Sequence, residues 1–243
     1  MSSCKGLTKS GQTLVLFQLL FEGWKASYMR LVLFLLRAFF SLLYHQFAWT
    51  YDLVAATVSL GRWKDWVQSA LPYLDGRVLE IGYGPGHLQL SLHEKGLSVF
   101  GLDESRQMAH QASHRLRKKD FLPDLSRGYA QDLPFPKNGF DTVVATFPAE
   151  YIFDSQTLIE IRRVLAPGGK LVIIPSAWIT GKRVHERLAA WLFRVTGQTR
   201  ALDKVIPEMK MHFARSGFEV RNEMVELPGS RVLVVIATKP PAL

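Results

Sequence analysis

The 243-residue chain is 48% hydrophobic and 12% aromatic, which excludes a disordered protein and provides for one α/β domain with an appendage. Its net charge of +9 and sequence pI near 9.7 call for an anionic partner such as acidic lipid headgroups or nucleic acid. The single cysteine, Cys4, excludes an internal disulfide framework and a zinc cluster and suits a reducing compartment.

Residues 1–11 are polar and carry Lys5 and Lys9; a short apolar run, 13–21, is closed by Glu22-Gly23. No small-residue cleavage site follows, so a cytosolic arm is expected rather than a secretory leader. Residues 29–45 are apolar almost all round, and the exceptions Arg30, Arg37, Ser41, Tyr44 and His45 fall on one stripe at about 100° per residue. A wide apolar face with a basic edge predicts a helix lying in a membrane interface, its cations toward the headgroups. The alternatives are a transmembrane anchor and a plain core helix. Arg37 disfavours a span, which needs roughly 20 apolar residues and loses about 3 kcal/mol to a central Arg. Residues 1–50 are therefore read as a hydrophobic helical extension and 51–243 as the main domain.

A helical prelude follows, with Tyr51-Asp52, then Ser59-Leu60-Gly61, Trp63 and Trp66. By composition alone Asp52 is a helix cap and the tryptophans are packing residues. The stretch Val78-Leu79-Glu80-Ile81-Gly82-Tyr83-Gly84-Pro85-Gly86-His87-Leu88 reads as a strand, a tight turn and a helix start. Alternating glycines let a turn take angles other residues avoid and let a ligand approach the main chain. Glu80, at the strand end, is placed to accept a hydrogen bond from such a ligand.

A second strand, 97–103, ends on Asp103, roughly 20 residues past the glycines, where a strand-end acid can accept both hydroxyls of a ribose. Helical character runs over 105–117. Within and just beyond it Arg115, Arg117, Lys118 and Lys119 form the densest basic run, with no interleaved aromatics, which suits a solvated helix face better than a nucleic-acid patch. No third strand is visible before the loop 128–135. The β-branched run 140–147 predicts a fourth strand, 158–165 a helix, Ala166-Pro167-Gly168-Gly169 a turn, and 170–174 a fifth strand. Two helices, 178–195 and 201–216, make a helical insertion over 178–216. A strand pair, 217–220 and 232–238, ends the sheet with a reversed edge. Strands alternating with helices at this spacing predict an α/β fold with a doubly wound, mostly parallel sheet.

These motifs together resemble a class I S-adenosylmethionine-dependent methyltransferase. The resemblance rests on the Glu80-to-Gly86 loop, Asp103, Leu133-Pro134-Phe135 ahead of Phe140-Asp141, and Arg163-Val164-Leu165 ahead of Pro167-Gly168-Gly169. An NAD dehydrogenase normally has its third glycine one residue later and lacks the last two motifs. Within the superfamily the chain is most similar to the ubiquinone/menaquinone-biosynthesis C-methyltransferases, whose upstream pattern falls on Tyr51, Asp52, Ser59, Gly61 and Trp66. It departs from that group in Pro85 and His87 of the loop, in Tyr129 where an acid or amide usually opens the adenine loop, and in Pro148-Ala149-Glu150.

The resemblance implies a Rossmann-like methyltransferase fold with a seven-stranded sheet, S-adenosyl-L-methionine as cofactor, and no metal. It implies that Gly82, Tyr83, Gly84 and Gly86 cradle the methionine part and that Glu80 meets its ammonium group. Asp103 would hold the ribose, Leu102 or Glu104 and Met108 would flank the adenine, Ala130, Gln131 and Asp132 would meet its edge, and Thr146 and Phe147 would close the floor. If the acceptor must lose a proton, the candidate catalytic residues are Tyr51, His45, Glu150 and Tyr151, with His87 behind them. The implied activity is methylation of a lipophilic small molecule at the cytoplasmic membrane face, with peripheral contact through 29–45. The alternatives are N-methylation of a phospholipid headgroup and a membrane-tethered cofactor-binding protein without turnover. Nucleic acid is not an expected partner, because the fourth strand leads into Thr146-Phe147-Pro148-Ala149 rather than an Asn-Pro-Pro-Tyr-like segment.

Overall fold

A computed structural model describes residues 61–180 and 202–241; the extension 1–50 and most of the expected insertion lie outside them. The first strand, β1 (Arg77–Ile81), is buried over its last four residues. It lies parallel between β2 (Ser98–Asp103) and β4 (Phe140–Thr146). A strand covered on both faces has no solvent side to alternate with, so its sequence reads as a continuous apolar run.

The sheet has seven strands in the order β3-β2-β1-β4-β5-β7-β6. Here β3 is Leu125–Arg127, β5 is Leu165–Ile179, β6 is Glu219–Leu227 and β7 is Ser230–Thr238. Strands β1 to β5 are parallel and β7 runs antiparallel between β5 and β6, the reversed edge expected from sequence. Winding changes direction between β1 and β4, which opens a crevice at their carboxyl ends.

Helices cover both faces. On one, α1 (Trp63–Gln68) and α2 (His87–Glu94) bury Trp66, Val67, Leu88 and Leu92 against Val78, Val144 and Val172. On the other, α4 (Ser155–Val164) and α5 (Leu202–Arg215) bury Leu158, Ile161 and Phe213 against Leu79, Val143 and Ile173. Between them in the chain, α3 (Arg106–Arg117) starts at Ser105, whose hydroxyl accepts from the Met108 amide at 3.3 Å.

Several expected boundaries move. β3 has three residues and no periodicity; its pairing with Gly101, Leu102 and Asp103 creates it. α4 begins at Ser155 because Asp154 caps it, accepting from the Gln156 amide at 3.1 Å. The expected turn Ala166-Pro167-Gly168-Gly169 is an excursion inside β5, between the pairs Phe140↔Leu165 and Thr142↔Lys170. β5 then runs past Ile174 to Ile179. Trp178 and Ile179, expected to start a helix, pair instead with Arg231 and Ser230 of β7. β6 and β7 are each nine residues, joined at Pro228-Gly229.

Candidate functional site

The glycine loop leaves the carboxyl end of β1 at the switch point. Gly82 N–H donates to the Leu102 carbonyl at 2.7 Å, and Gly86 N–H to the Tyr83 carbonyl at 3.0 Å. Gly84 and Gly86 have φ of 52° and 82°, but their surroundings differ. A Cβ on Gly86 would stand 2.8 Å from Ala112 Cβ, whereas one on Gly84 would meet nothing among the described residues within 4 Å. Gly86 is needed for packing α2 on α3; Gly84 leaves a length of backbone open to a ligand.

Asp103 bonds across to this loop. One carboxylate oxygen accepts from the Gly84 N–H at 2.9 Å and the other from Ser105 N–H at 2.8 Å. The side chain is buried, and desolvation pushes its carboxyl above the usual range although both N–H bonds oppose this. Glu80 is only 1% exposed and its Oε2 has no hydrogen-bond partner among the described residues. Burial holds its carboxyl well above the ordinary 4.5; a bond from Gln89 opposes this and the nearby Asp103 adds to it. Two buried acids beside an open stretch of backbone, one with an unmatched oxygen, form a seat for a group that brings hydrogen-bond donors and positive charge. An ammonium group and ribose hydroxyls fit that description.

Tyr83 is buried, its ring 2.7 Å from where a Cβ on Gly101 would lie. Its hydroxyl has no partner among the described residues, and burial, with Asp103 next, pushes it above its ordinary range. Across the switch point a short 3₁₀ turn, Glu150–Phe153, brings the Tyr151 hydroxyl to the Ile81 carbonyl at 3.3 Å and beside Gly82. Glu150, on the same turn, is exposed. Thr146 ends β4, paired with Ile174. Phe147 takes a left-handed backbone, φ 49°, donates its N–H to the Ile174 carbonyl at 2.7 Å, and sets its ring 4.5 Å from that of Trp63. A non-glycine residue held there is strained, and such strain gathers at functional sites.

The residues expected around an adenine are less uniformly placed. Ala130 is buried and Asp132 exposed. The Gln131 amide nitrogen donates to Asp154 at 3.0 Å, so that donor holds the cap of α4. Met108 is fully buried and presents no surface to a ligand in this structure; Glu104 is exposed and offers its carbonyl to Arg127. Tyr129 is 66% exposed. His87 opens α2 directly after Gly86. His45 and Tyr51 lie outside the described residues. The structure thus brings Glu80, Gly82, Tyr83, Gly84, Asp103 and Tyr151 together around the loop.

Sequence reasoning missed Gln89, fully buried, which donates to the Phe100 carbonyl at 3.2 Å and lies against Glu80. Its only signal was a polar residue on the inward face of a helix. Among the described residues no group of three or more His, Cys, Asp or Glu could hold a metal ion.

Residues 79–173 match the family model described as Methyltransferase domain. A demethylmenaquinone methyltransferase of Deinococcus radiodurans is 33% identical over 131 residues, covering 51% of this chain and 54% of that protein. A phosphatidylethanolamine N-methyltransferase of Cereibacter sphaeroides is 36% identical over 102 residues, covering 41% of this chain and 50% of that protein. The chain thus spans about half the length of these curated relatives. In fold it resembles a solved SAM-dependent methyltransferase of Methanosarcina mazei, with a TM-score of 0.51, 23% identity, and coverage of 72% of this chain and 98% of that one.

Proposed function

We propose that this chain, which carries a class I S-adenosylmethionine-dependent methyltransferase domain, moves a methyl group from S-adenosyl-L-methionine to a lipophilic small molecule. The observation that carries the reading is the buried Glu80 and Asp103 pair beside the open backbone of Gly84. Bound there, the cofactor would supply an electrophilic methyl on a sulfonium. The loop from Gly82 to Gly86, Tyr83 included, holds the methionine part, and Glu80 accepts from its ammonium group. Asp103 takes the ribose hydroxyls in exchange for its bond to the Gly84 amide. Glu104, Ala130, Gln131 and Asp132 are the adenine-side residues, and Thr146 and Phe147 the floor.

In-line displacement needs alignment and exclusion of water more than covalent catalysis. Tyr151, whose hydroxyl reaches the Ile81 carbonyl, is the described candidate for receiving a proton or positioning the acceptor. Glu150, Tyr51 and His45 are the further candidates. A quinone-type acceptor is favoured by the relative named for demethylmenaquinone, and an amine headgroup by the one named for phosphatidylethanolamine. Residues 29–45 are the proposed peripheral membrane contact; among the described residues no helix is long and apolar enough to cross a membrane.

Calorimetric titration with S-adenosyl-L-methionine should give one site per chain, and absence of binding ends this reading. Transfer of labelled methyl into a lipid extract, with product mass measured, then separates a quinol from a phospholipid acceptor.

A further inference from the structure

At the amino end of the parallel strands β4 and β5, opposite the glycine loop, lies a cleft of about 870 Å³. Four elements meet there, each bringing a cation besides Arg163, which is already paired with Glu160. Lys137 comes from the loop before β4, Arg162 from the last turn of α4, Arg215 from the last turn of α5, and Lys239 from the residue after β7. None of the four takes part in an ion pair among the described residues. Cations in the last turns of α4 and α5 also complement the helix dipoles. Lys137 and Lys239 have no such reason to be there, and the convergence of four like charges is unfavourable unless something anionic joins them. Lys239 is held in place, donating to Asn138 Oδ1 at 3.0 Å and to the Leu165 carbonyl. Burial, then the charges of Arg162 and Lys137, holds its ammonium below the ordinary range. Ile159 and Pro240 give the cleft an apolar wall.

We infer that this cleft is a second binding site, for an anion bearing two or more phosphoryl groups on an organic part that rests against Ile159 and Pro240. A single carboxylate would leave three of the four cations unmatched. Arginine pairs suit phosphoryl oxygens in particular, and a cleft of this size exceeds what one inorganic ion needs. The anion could be a free diphosphate ester or a phosphorylated lipid headgroup. The inference is independent of the methyl-transfer reading, because no cleft residue belongs to the glycine-loop site.

The test titrates inorganic pyrophosphate into the full chain and, separately, sediments the chain with phosphatidylcholine vesicles containing phosphatidylinositol 4-phosphate. The variant R162Q/R215Q removes two exposed cations, and R106Q/R117Q, two exposed cations on α3, is the charge-matched control. Thermal unfolding checks that both variants fold. The expected result is binding that falls at least about tenfold in R162Q/R215Q and by less than about twofold in the control. Pyrophosphate binding without vesicle binding identifies a free ligand; vesicle binding that is lost in R162Q/R215Q identifies a headgroup. No binding of either probe, or equal losses in the two variants, overturns the inference.

Discussion

Glu80 shows what burying an ionisable side chain costs when one of its oxygens has no partner among the described residues. The folded carboxyl sits above the unfolded value of 4.5, for reasons of burial first. The stability it permits is therefore full below about pH 4.5 and declines as pH rises toward the folded value. Glu80→Gln removes that decline. In thermal unfolding of ligand-free protein between about pH 5 and 8, the variant should gain on the wild type as pH rises. Parallel curves would contradict it. The same substitution should weaken S-adenosyl-L-methionine binding, since an amide meets an ammonium group less well than a carboxylate does. Gln89 could not be assigned from sequence because a polar residue on the inward face of a helix does not say what it bonds; only the approach of α2 to β1 and β2 gives it a role.

Among elements, the loop makes a paired prediction. Gly84→Ala places a residue in the left-handed region at about 1–2 kcal/mol, with no steric conflict among the described residues. It should fold and lose ligand affinity by more than that. Gly86→Ala adds the collision with Ala112 and should fail first in stability, measured by urea unfolding. Equal effects on both quantities in both variants would remove the distinction. A second device joins two sequence motifs. Arg163 bonds Glu160 with Nε at 2.8 Å and Nη2 at 2.7 Å, and also donates to the Leu133 and Phe135 carbonyls, each at 2.8 Å. Glu160 in turn accepts from the Leu133 amide at 2.9 Å. The Leu133-Pro134-Phe135 loop and the end of α4 thus appear together in the sequence because one guanidinium ties them. Arg163→Lys leaves carbonyls unmatched and should cost about 2 kcal/mol in urea unfolding. The Arg163 bond holds the Glu160 carboxyl below its ordinary value, so its contribution is present above pH 4.5 and is lost as pH falls; in the variant this acid-side loss should shrink.

At the scale of the molecule, the sheet separates two cores, with Leu92 of α2 in one and Ile161 of α4 in the other. Ile161→Val on α4 and Leu92→Ala on α2 should each destabilise, by about 1 and about 3 kcal/mol, and the double variant should match their sum within about 0.5 kcal/mol. A larger departure would mean that the faces are coupled. The alternation of strands and helices, the reversed last edge and the order of the glycine loop, Asp103 and the Arg163 segment were legible in the sequence, because each depends on residue type and spacing within one stretch of chain. β3, the excursion inside β5, the extension of β5 to Ile179, the role of Gln89, the approach of Tyr151 to Gly82 and the cationic cleft were not. Each depends on which distant segments share a strand edge or a cavity wall. Composition and period determined the layers of this protein; only tertiary contact decided which polar groups found partners, because partnership is a matter of distance in space rather than along the chain.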